Sequence, residues 1–405
     1  MEKLEISSCR TSDSTGYDRV WAQIDMDAVL FNMESMRANI REDVKIVAVL
    51  KTNGYGHGAV AIMKEMEKLP YVWGYAAATF EEAKELRENG AKKPILLLGY
   101  VFPYCYRELA LLEIRPSCFR EDMLEELSAA AEKEGKPVLI HIALDTGMGR
   151  IGIRPDDEGL SFVCKAMNTP GLIVEGMFTH FAKADEEDHG PTHTQIALYT
   201  GFRDRIRKEL GLEIPLCHCS NSAGIIEFPE ANMNLVRAGI TLYGLWPSSE
   251  VSRTIVPLRP VMTLYSRIVY IKEAGPGVSV SYGGTFTTSA EMTRIATIPV
   301  GYGDGYPRSL SGKGYVLICG KKSADPGQSL YGPDDGGYHS YSGSPGGQPC
   351  DADRKRQWGI HNHGAARRSV GEIQLRAGLR HQYESTQSDL RRNPRLTASQ
   401  DNGIF

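Results

Sequence analysis

The stretch IVAVLKTNGYGHG, Ile46 to Gly58, joins a run of five apolar residues directly to a lysine. Lys51 ends the run, and glycines and a tyrosine follow within a few positions. An apolar run bounded by turn residues is typical of a strand buried on both faces, as in a parallel sheet. The stretch therefore predicts an α/β fold with a lysine at the carboxyl end of one strand.

Similar apolar runs recur along the chain, separated by segments with apolar residues at helical spacing, such as TFEEAKELRENG and REDMLEELSAAAEKEGK. The runs are VWAQIDM, VKIVAVL, YVWGYAAA, PILLLGY, PVLIHIAL, LIVEGMFTHF, PLCHCSNSA and NLVRAGITLYGL, with a weaker candidate at IRPSCF. About eight strand–helix units favour a closed TIM-like (β/α)8 barrel over residues 17–250, after a leader at 1–16. An open parallel sheet covered by helices on both faces fits the same pattern.

From about Val251 the sequence consists of short segments of β-branched residues separated by turn residues. This pattern predicts a mostly β C-terminal domain over residues 251–322. In residues 323–405, Val, Ile, Leu, Met and Phe nearly vanish, while Gly, Ser, Arg, Asp and Gln abound. Such a segment cannot bury enough apolar surface to offset its ordering entropy, so we expect disorder there. The C-terminal domain is therefore expected to be incomplete.

Composition favours a small-molecule ligand. A net charge of -4 gives no basic surface for nucleic acid. No apolar run approaches the length of a membrane span, and the start of the chain lacks the apolar part of a signal peptide. The eight cysteines include no C-x-x-C pair, which favours free thiols in the cytoplasm. We assign no metal site.

Several reactive side chains follow directly after predicted strands. They are Lys51, Asp145, Arg150, His180, Ser222 and Arg237. In a β/α barrel the carboxyl ends of the strands form one face, so these side chains are expected to converge on one pocket. Each alone also has a structural interpretation: Ser222, for example, could simply cap the next helix.

The stretch AVLKTNGYGHG closely resembles the pyridoxal-phosphate lysine motif of alanine racemases. LDTGMGRIG, FTHFAKADE, CHCSNSA, NLVRAGITLYGL, VSYGGTF and IPVGYGDGYPR resemble that family's later motifs in the same order. The resemblance spans roughly Val20 to Lys322. It implies a pyridoxal-phosphate-dependent isomerase that interconverts L-alanine and D-alanine as a homodimer with shared active sites. It also implies a cytoplasmic enzyme that supplies D-alanine for the peptidoglycan of the cell wall.

The resemblance assigns the cofactor contacts to particular residues. Lys51 matches the lysine that binds the cofactor covalently, which requires an unprotonated amine. Tyr55 matches a tyrosine that binds the phosphate, together with Ser222 and the backbone around Gly239 and Ile240. Arg237 matches the arginine that faces the pyridine nitrogen and, by staying charged, keeps that nitrogen unprotonated.

The resemblance also implies a two-base mechanism, since a proton must leave one face of Cα and return to the other. Lys51 would take the proton from the D-isomer and Tyr282, from the other subunit's β domain, would take it from the L-isomer. His180 matches the histidine that links Arg237 to this tyrosine. Arg150 resembles the arginine near the cofactor phenolate and the substrate carboxylate, and Tyr302 matches a tyrosine that lines the substrate entrance.

Two departures from the family pattern stand out. Ala143 occupies the position of a lysine that many relatives carry as a carbamate, so we expect a chloride ion or a water beside Arg150.

The second departure is the sequence from Ser323 onward. Shifted by one base, a nucleotide sequence for SADPGQSLYGPDDGGYHSY also encodes APILGRVCMDQMMVDITH, which resembles the family's continuation. The same shift converts ARRSVGEIQLRAGLRHQYE, Ala366 to Glu384, into a segment like the family's end.

Our hypothesis is that one extra base near the codons for Lys321 to Ser323 put the tail out of frame, and the alternative is a genuine disordered extension. Three functional alternatives to alanine racemisation remain at this point. They are activity on serine, a pyridoxal-phosphate carrier or homeostasis protein without catalysis, and an inactive product if the tail is genuine.

Overall fold

The structure is a computed structural model that describes residues 19–307, 310 and 314–318, and the backbone of short strands at 321–324, 339–343 and 372–375. The chain divides into two compact units. One, here called the barrel unit, is Asp25–Val261. The other, here called the β unit, consists of Met1–Ile24 and Met262–Phe405.

The barrel unit alternates strands with helices. Its strands are β2 Lys45–Val49, β3 Val72–Ala77, β4 Ile95–Leu97, β5 Ile114–Arg115, β6 Ser117–Cys118, β7 Val138–Ala143, β8 Leu172–Phe178, β9 Leu216–His218 and β10 Leu235–Ala238. Its α-helices are α1 Met26–Ala38, α2 Lys51–Tyr55 (a single turn), α3 Ala59–Met66, α4 Phe80–Glu88, α5 Tyr106–Leu111, α6 Glu121–Glu134, α7 Asp157–Asn168, α8 Gly190–Arg205 and α9 Ser222–Glu227. A π-helix at Ile206–Leu210 continues α8, and 3₁₀ turns lie at Pro103–Cys105, Pro229–Ala231 and Ile240–Tyr243.

The parallel strands form a closed ring. One ladder runs β10-β2-β3-β4-β5 and another runs β6-β7-β8-β9. Pro116 separates β5 from β6, so one extended segment pairs with β4 before the proline and with β7 after it. Backbone N–H groups of Asn234 and Arg237 donate to the carbonyls of Cys217 (3.3 Å) and Ser220 (3.0 Å), joining β10 to β9. The predicted eight-stranded barrel is therefore confirmed.

Side-chain caps define where several helices begin. Asp25, Thr79, Asp156 and Asn221 each accept a hydrogen bond from a backbone N–H in the first turn of the following helix. Such a bond satisfies one of the donors that a helix start leaves without a partner. Most inner residues of the strands are apolar and almost fully buried, as expected for a parallel sheet covered by helices, with Ser117, His141, His218 and Arg237 as buried polar exceptions.

The β unit is an antiparallel sheet with one separate hairpin. Its strands are β1 Val20–Ile24, β11 Met262–Arg267, β12 Tyr270–Ala274, β13 Ser279–Val280, β14 Phe286–Thr287, β15 Thr293–Ile298, β16 Tyr315–Ile318, β17 Lys321–Ala324, β18 His339–Gly343 and β19 Glu372–Leu375. The sheet order is β1-β11-β19-β16-β17-β18-β15-β12, and β13 pairs with β14. Short 3₁₀ turns lie at Tyr282–Gly284 and Tyr302–Asp304. The predicted mostly β C-terminal domain is confirmed.

Two features differ from the sequence analysis. Val20–Ile24, predicted as part of the barrel segment, instead pairs antiparallel with Met262–Arg267 in the β unit. A strand's apolar composition does not reveal which sheet it joins. The strands at 339–343 and 372–375 lie in the segment where disorder is expected. The rest of that segment, and the leader at 1–16, lie outside the described residues.

Within the described part of the chain, no helix is both long and apolar enough to cross a membrane.

Candidate functional site

Lys51 lies where strand β2 ends and a left-handed turn begins. Thr52, Asn53, Gly54 and Tyr55 have φ angles of 56°, 51°, 62° and 52°. This conformation costs roughly 1–2 kcal/mol for each non-glycine residue, so it persists only where the surroundings enforce it. The turn keeps Lys51 adjacent to the rigid strand while the chain changes direction.

Contacts from outside the turn hold it in this conformation. The His57 Nδ1 atom lies 3.0 Å from the carbonyl oxygens of both Gly54 and Tyr55, so this nitrogen carries the proton and donates. The carboxylate of Glu82, on α4, accepts the backbone N–H of Thr52 at 2.7 Å. Sequence analysis missed both residues. The only signal for Glu82 was its spacing of three from the helix-capping threonine.

The Lys51 amine is disposed toward its neutral form. Burial lowers the pKa of Lys51 below its ordinary value, the positive charge of Arg150 lowers it further, and the negative charge of Glu82 opposes both. The Nζ atom lies 5.7 Å from the centre of the Tyr55 ring. A neutral amine is the form that reacts with a carbonyl group or accepts a proton.

A polar cradle forms where Tyr55 approaches the end of β10. The Ser222 Oγ atom accepts the backbone N–H groups of Gly239 (3.1 Å) and Thr241 (3.3 Å) and lies 2.9 Å from Thr241 Oγ1. A Cβ atom on Gly239 would lie 3.5 Å from Ser222 Oγ and 3.6 Å from the Tyr55 hydroxyl. The missing side chain of Gly239 thus leaves space between two hydroxyl groups, which suits a phosphate. Ile240 begins the 3₁₀ turn beside this cradle.

The helix beside the cradle is capped by Asn221, whose side chain accepts the N–H of Gly224 at 3.0 Å. Ser222 is therefore not the cap that its position in sequence allowed. Its hydroxyl points instead to Gly239 and Thr241. The sequence analysis did not assign Thr241 to the site, because a threonine that follows an apolar strand is common in buried turns.

Arg237, on strand β10, is buried, with only 2% of its surface exposed. Its guanidinium donates to the carbonyls of Thr179 (2.7 Å), Cys219 (2.9 Å) and His218 (3.1 Å). Burial lowers the pKa of Arg237 to about 10, so it remains charged at neutral pH. A buried charge with this many partners is held in one orientation.

His180 lies 3.4 Å from Arg237, measured between His180 Nδ1 and Arg237 Nη2. Burial, together with the charges of Arg237, Arg150 and Lys51, lowers the pKa of His180 to about 3. The imidazole is therefore neutral over the physiological range. Gln195, which sequence analysis missed, donates to the His180 carbonyl at 3.0 Å.

Arg150 extends from an exposed loop after β7. The Asp145 carboxylate accepts the backbone N–H groups of Gly147 and Gly149, each at 3.0 Å, which shapes this loop. Ala143, at the end of β7, is buried. The expected anion beside Arg150 stays a prediction.

The predicted residues thus belong to two separate groups. Lys51, Tyr55, Arg150, His180, Ser222, Arg237, Gly239 and Ile240 all lie in the barrel unit, at or after the ends of its strands. Tyr282 and Tyr302 lie in the β unit. Tyr282 is 69% exposed and follows Ser281, whose φ angle is 68°. Tyr302 begins the turn whose Asp304 accepts a hydrogen bond from Arg19 at 2.8 Å.

The described residues include no cluster of three or more metal-binding side chains.

Comparisons with known proteins agree with this architecture. The family model "Alanine racemase, N-terminal domain" matches residues 24–247, and "Alanine racemase, C-terminal domain" matches residues 261–328. The chain belongs to the alanine racemase family. The alanine racemase of Desulforamulus reducens is 43% identical over 304 residues, which cover 75% of this chain and 81% of that protein. The alanine racemase of Halothermothrix orenii is 42% identical over 303 residues, covering 75% and 79%.

Solved structures of the alanine racemase family share this fold. The alanine racemase of Clostridium difficile 630 is 34% identical, with a TM-score of 0.75, over 88% of this chain and 87% of that one. The same protein has also been solved in complex with cycloserine. The alanine racemase of the D-cycloserine producer Streptomyces lavendulae is 30% identical, with a TM-score of 0.74, over 88% and 87%. Alanine racemases depend on pyridoxal phosphate, and the cradle at Gly239 and the lysine at the end of β2 fit that cofactor.

Proposed function

We propose that this chain is an alanine racemase, a pyridoxal-phosphate-dependent isomerase that interconverts L-alanine and D-alanine. The observation that carries the proposal is the grouping, within one barrel unit, of three features. They are a lysine of lowered pKa, a cradle of hydroxyl and N–H groups, and a buried charged arginine. Pyridoxal phosphate, when bound, withdraws electron density from the substrate Cα and makes its proton acidic.

The cradle residues would hold the phosphate. Tyr55 and Ser222 offer hydroxyl groups on either side of the space left by Gly239. The backbone N–H of Ile240, at the start of the following 3₁₀ turn, would add an uncharged donor, since those of Gly239 and Thr241 already donate to Ser222 Oγ. We propose that these residues fix the position of the cofactor and hence of the substrate.

Arg237 would face the pyridine nitrogen. Because its pKa stays near 10 even when buried, it offers a permanent positive charge and cannot accept a proton near neutrality. A nitrogen that faces such a group stays unprotonated, which weakens electron withdrawal. We expect this to limit side reactions such as transamination.

Two residues would exchange protons with the substrate Cα. Lys51, whose pKa is lowered by burial, takes the proton from the D-isomer. Tyr282 takes the proton from the L-isomer, aided by His180 and Arg237. Arg150 orients the substrate carboxylate, and Tyr302 lines its entrance. In this proposal, Tyr282 comes from a second copy of the chain, so the active enzyme is a homodimer with two shared sites.

The proposed setting follows from the family. A cytoplasmic alanine racemase supplies D-alanine for peptidoglycan, and its partner is the small molecule alanine, with serine as a possible second substrate. We propose neither a nucleic-acid partner nor a membrane-bound state. A carrier that binds pyridoxal phosphate without catalysis is disfavoured, because the C-terminal racemase domain that bears Tyr282 also matches.

The test measures formation of D-alanine from L-alanine by the purified full chain with pyridoxal phosphate, alongside Tyr282→Phe. We expect turnover by the parent and loss of at least about 100-fold in the variant, since general acid–base groups contribute roughly 10²–10⁴-fold. Tyr270→Phe, at another exposed tyrosine of the β unit, is the matched control. Cofactor absorbance must be equal in all three proteins. Bound cofactor without turnover by the parent would instead support the carrier, and equal rates would remove Tyr282 from the mechanism.

A further inference from the structure

Five side chains of the barrel unit form a continuous hydrogen-bonded chain, here called the relay: Arg237, His218, His141, Glu175 and Arg115. Arg237 Nη1 lies 2.7 Å from His218 Nδ1, and His218 Nε2 lies 2.9 Å from His141 Nδ1. His141 Nε2 and Arg115 Nε each lie 3.2 Å from the Glu175 Oε2 atom. Each residue comes from a different strand of the barrel.

The chemistry of the two ends fixes the direction of every bond between them. A guanidinium can only donate, so His218 Nδ1 must accept and the proton of His218 must lie on Nε2. His218 then donates to His141 Nδ1, which leaves the proton of His141 on Nε2. That proton points to a carboxylate, which can only accept when ionised. The relay therefore specifies one tautomer for each imidazole.

Burial keeps both imidazoles neutral. His141 and His218 are fully buried, and burial lowers the pKa of each below its ordinary value. The contact between His141 and Glu175 is thus a hydrogen bond from a neutral ring to a carboxylate. Phe178 stacks on His218 at 5.1 Å between ring centres and restricts its rotation. Neither imidazole has a part in the proposed proton transfer.

Glu175 is held in its charged form at the far end. Burial favours the protonated acid, but the hydrogen bond from His141 and the charge of Arg115 outweigh it and lower the pKa of Glu175. A glutamine at this position could present either its oxygen or its NH₂ group to His141. With the NH₂ group, both tautomers would reverse and His218 would direct an N–H toward the guanidinium, so the 2.7 Å contact between Arg237 Nη1 and His218 Nδ1 would be lost.

We infer that Glu175, anchored by Arg115, is a positioning residue for Arg237. Its carboxylate accepts the proton of His141 and so stabilises the pair of tautomers in which an unprotonated nitrogen of His218 faces the guanidinium. The orientation of Arg237 would then depend on the Glu175 carboxylate, from which it is separated by His218 and His141. The electrostatic environment of the pyridine nitrogen would change with that orientation. This inference rests on the proposed function only for its effect on the cofactor.

The first test needs neither cofactor nor activity. In the full chain labelled with ¹⁵N-histidine, long-range ¹H–¹⁵N spectra at neutral pH report the tautomer of each ring. We expect both His141 and His218 to carry their proton on Nε2 in the parent, with signals assigned from His141→Gln and His218→Gln. Glu175→Gln should shift His218 toward a mixture of tautomers. A protonated Nδ1 on His218 in the parent would overturn the inference.

The second test uses the chain loaded with pyridoxal phosphate. Glu175→Gln should shift the absorbance band of the bound cofactor and lower kcat by about tenfold or more, with KM changed by less than about twofold. The matched control is Glu134→Gln. Glu134 has 13% of its side chain exposed and pairs with Arg107 at 2.7 Å, but it lies outside the relay.

The outcomes separate the inference from the proposed function. An unchanged His218 tautomer and an unchanged absorbance band in Glu175→Gln would refute the positioning role. The same band shift in Glu134→Gln would also refute it, since any lost ion pair would then suffice. If the parent binds cofactor but does not racemise alanine, the proposed function fails, while the tautomers and the absorbance band still decide the role of Glu175.

Discussion

The carboxylate of Glu82 accepts the backbone N–H of Thr52 at 2.7 Å, directly after Lys51. Glu82 therefore has two effects: it braces the left-handed turn, and its charge raises the pKa of Lys51 against the effect of burial. Glutamine removes the charge and keeps one oxygen that can accept the N–H of Thr52. Its NH₂ group cannot accept the N–H of Ala78, which Glu82 Oε2 accepts at 2.8 Å.

We predict that Glu82→Gln lowers the pKa of Lys51 and increases the neutral fraction of the amine at a given pH. The rate at which the cofactor-free chain takes up pyridoxal phosphate, followed by absorbance, should then reach its midpoint at a lower pH. Glu81→Gln, at the exposed neighbouring position, should leave the midpoint unchanged. A midpoint that moves to higher pH in Glu82→Gln would contradict the prediction.

Ser222→Ala should weaken cofactor binding. The hydroxyl accepts two backbone N–H groups and lies beside the space that would hold the phosphate. A hydrogen bond to a charged group contributes about 1.5–3 kcal/mol, so the Kd for pyridoxal phosphate should rise by about 10- to 100-fold. An absorbance titration measures the change. Ser161→Ala, at an exposed serine on α7, is the control, and an equal Kd in both variants would exclude Ser222 from the site.

Gln195→Ala should destabilise the barrel unit. The side chain accepts the N–H of Ala182 at 2.9 Å and donates to the carbonyl of His180 at 3.0 Å and to Thr146 Oγ1 at 3.1 Å. Removing it leaves buried polar groups without partners, so the free energy of unfolding should fall by about 1–3 kcal/mol in urea titrations. Thr194→Ala, at the exposed preceding residue, should change it by less than about 0.5 kcal/mol.

The buried histidines predict loss of stability in acid. The pKa values of His141, His180 and His218 are lowered in the folded chain, that of His180 to about 3. Below the unfolded value of about 6.5, the unfolded state binds more protons, so the free energy of unfolding should decrease as the pH falls. His180, whose folded pKa is about 3, contributes a slope of about 1.4 kcal/mol per pH unit between about pH 6 and pH 4, and His141 and His218 add to it in the same direction. His180→Gln should reduce the slope of the free energy of unfolding against pH by about 1.4 kcal/mol per pH unit, which corresponds to one proton. An unchanged slope would contradict the lowered pKa of His180.

The segment from Ser323 onward gives a genetic prediction. Removing one base near the codons for Lys321 to Ser323 should produce a tail like that of the family and raise the rate of alanine racemisation above that of the chain as written. Both proteins are assayed side by side with bound cofactor matched by absorbance. Equal rates would argue that the present tail is genuine. Apart from short strands, this segment lies outside the described residues.

The sequence predicted the barrel because its apolar runs alternate with helical segments at regular spacing. It could not assign Val20–Ile24 to the β unit, since strand pairing is decided by partners more than 200 residues away in the chain, at Met262–Arg267. Ser222 was ambiguous for a similar reason: only the folded chain shows that Asn221 caps the helix and that the Ser222 hydroxyl points to Gly239.

By itself, the sequence determined the fold class and the family, because local apolar patterns and ordered motifs record them directly, and it predicted the reactive residues. The tertiary structure decided the supporting residues. Glu82, Gln195 and His141 lie outside the quoted motifs and act through hydrogen bonds to residues that are distant in the chain. His57 and His218 lie within motifs, but only the structure shows what they contact. Lys51 was predicted from its position at the end of a strand together with the motif around it. Its lowered pKa follows from burial and from the charge of Arg150, against the opposing charge of Glu82, and only folding brings these groups near it.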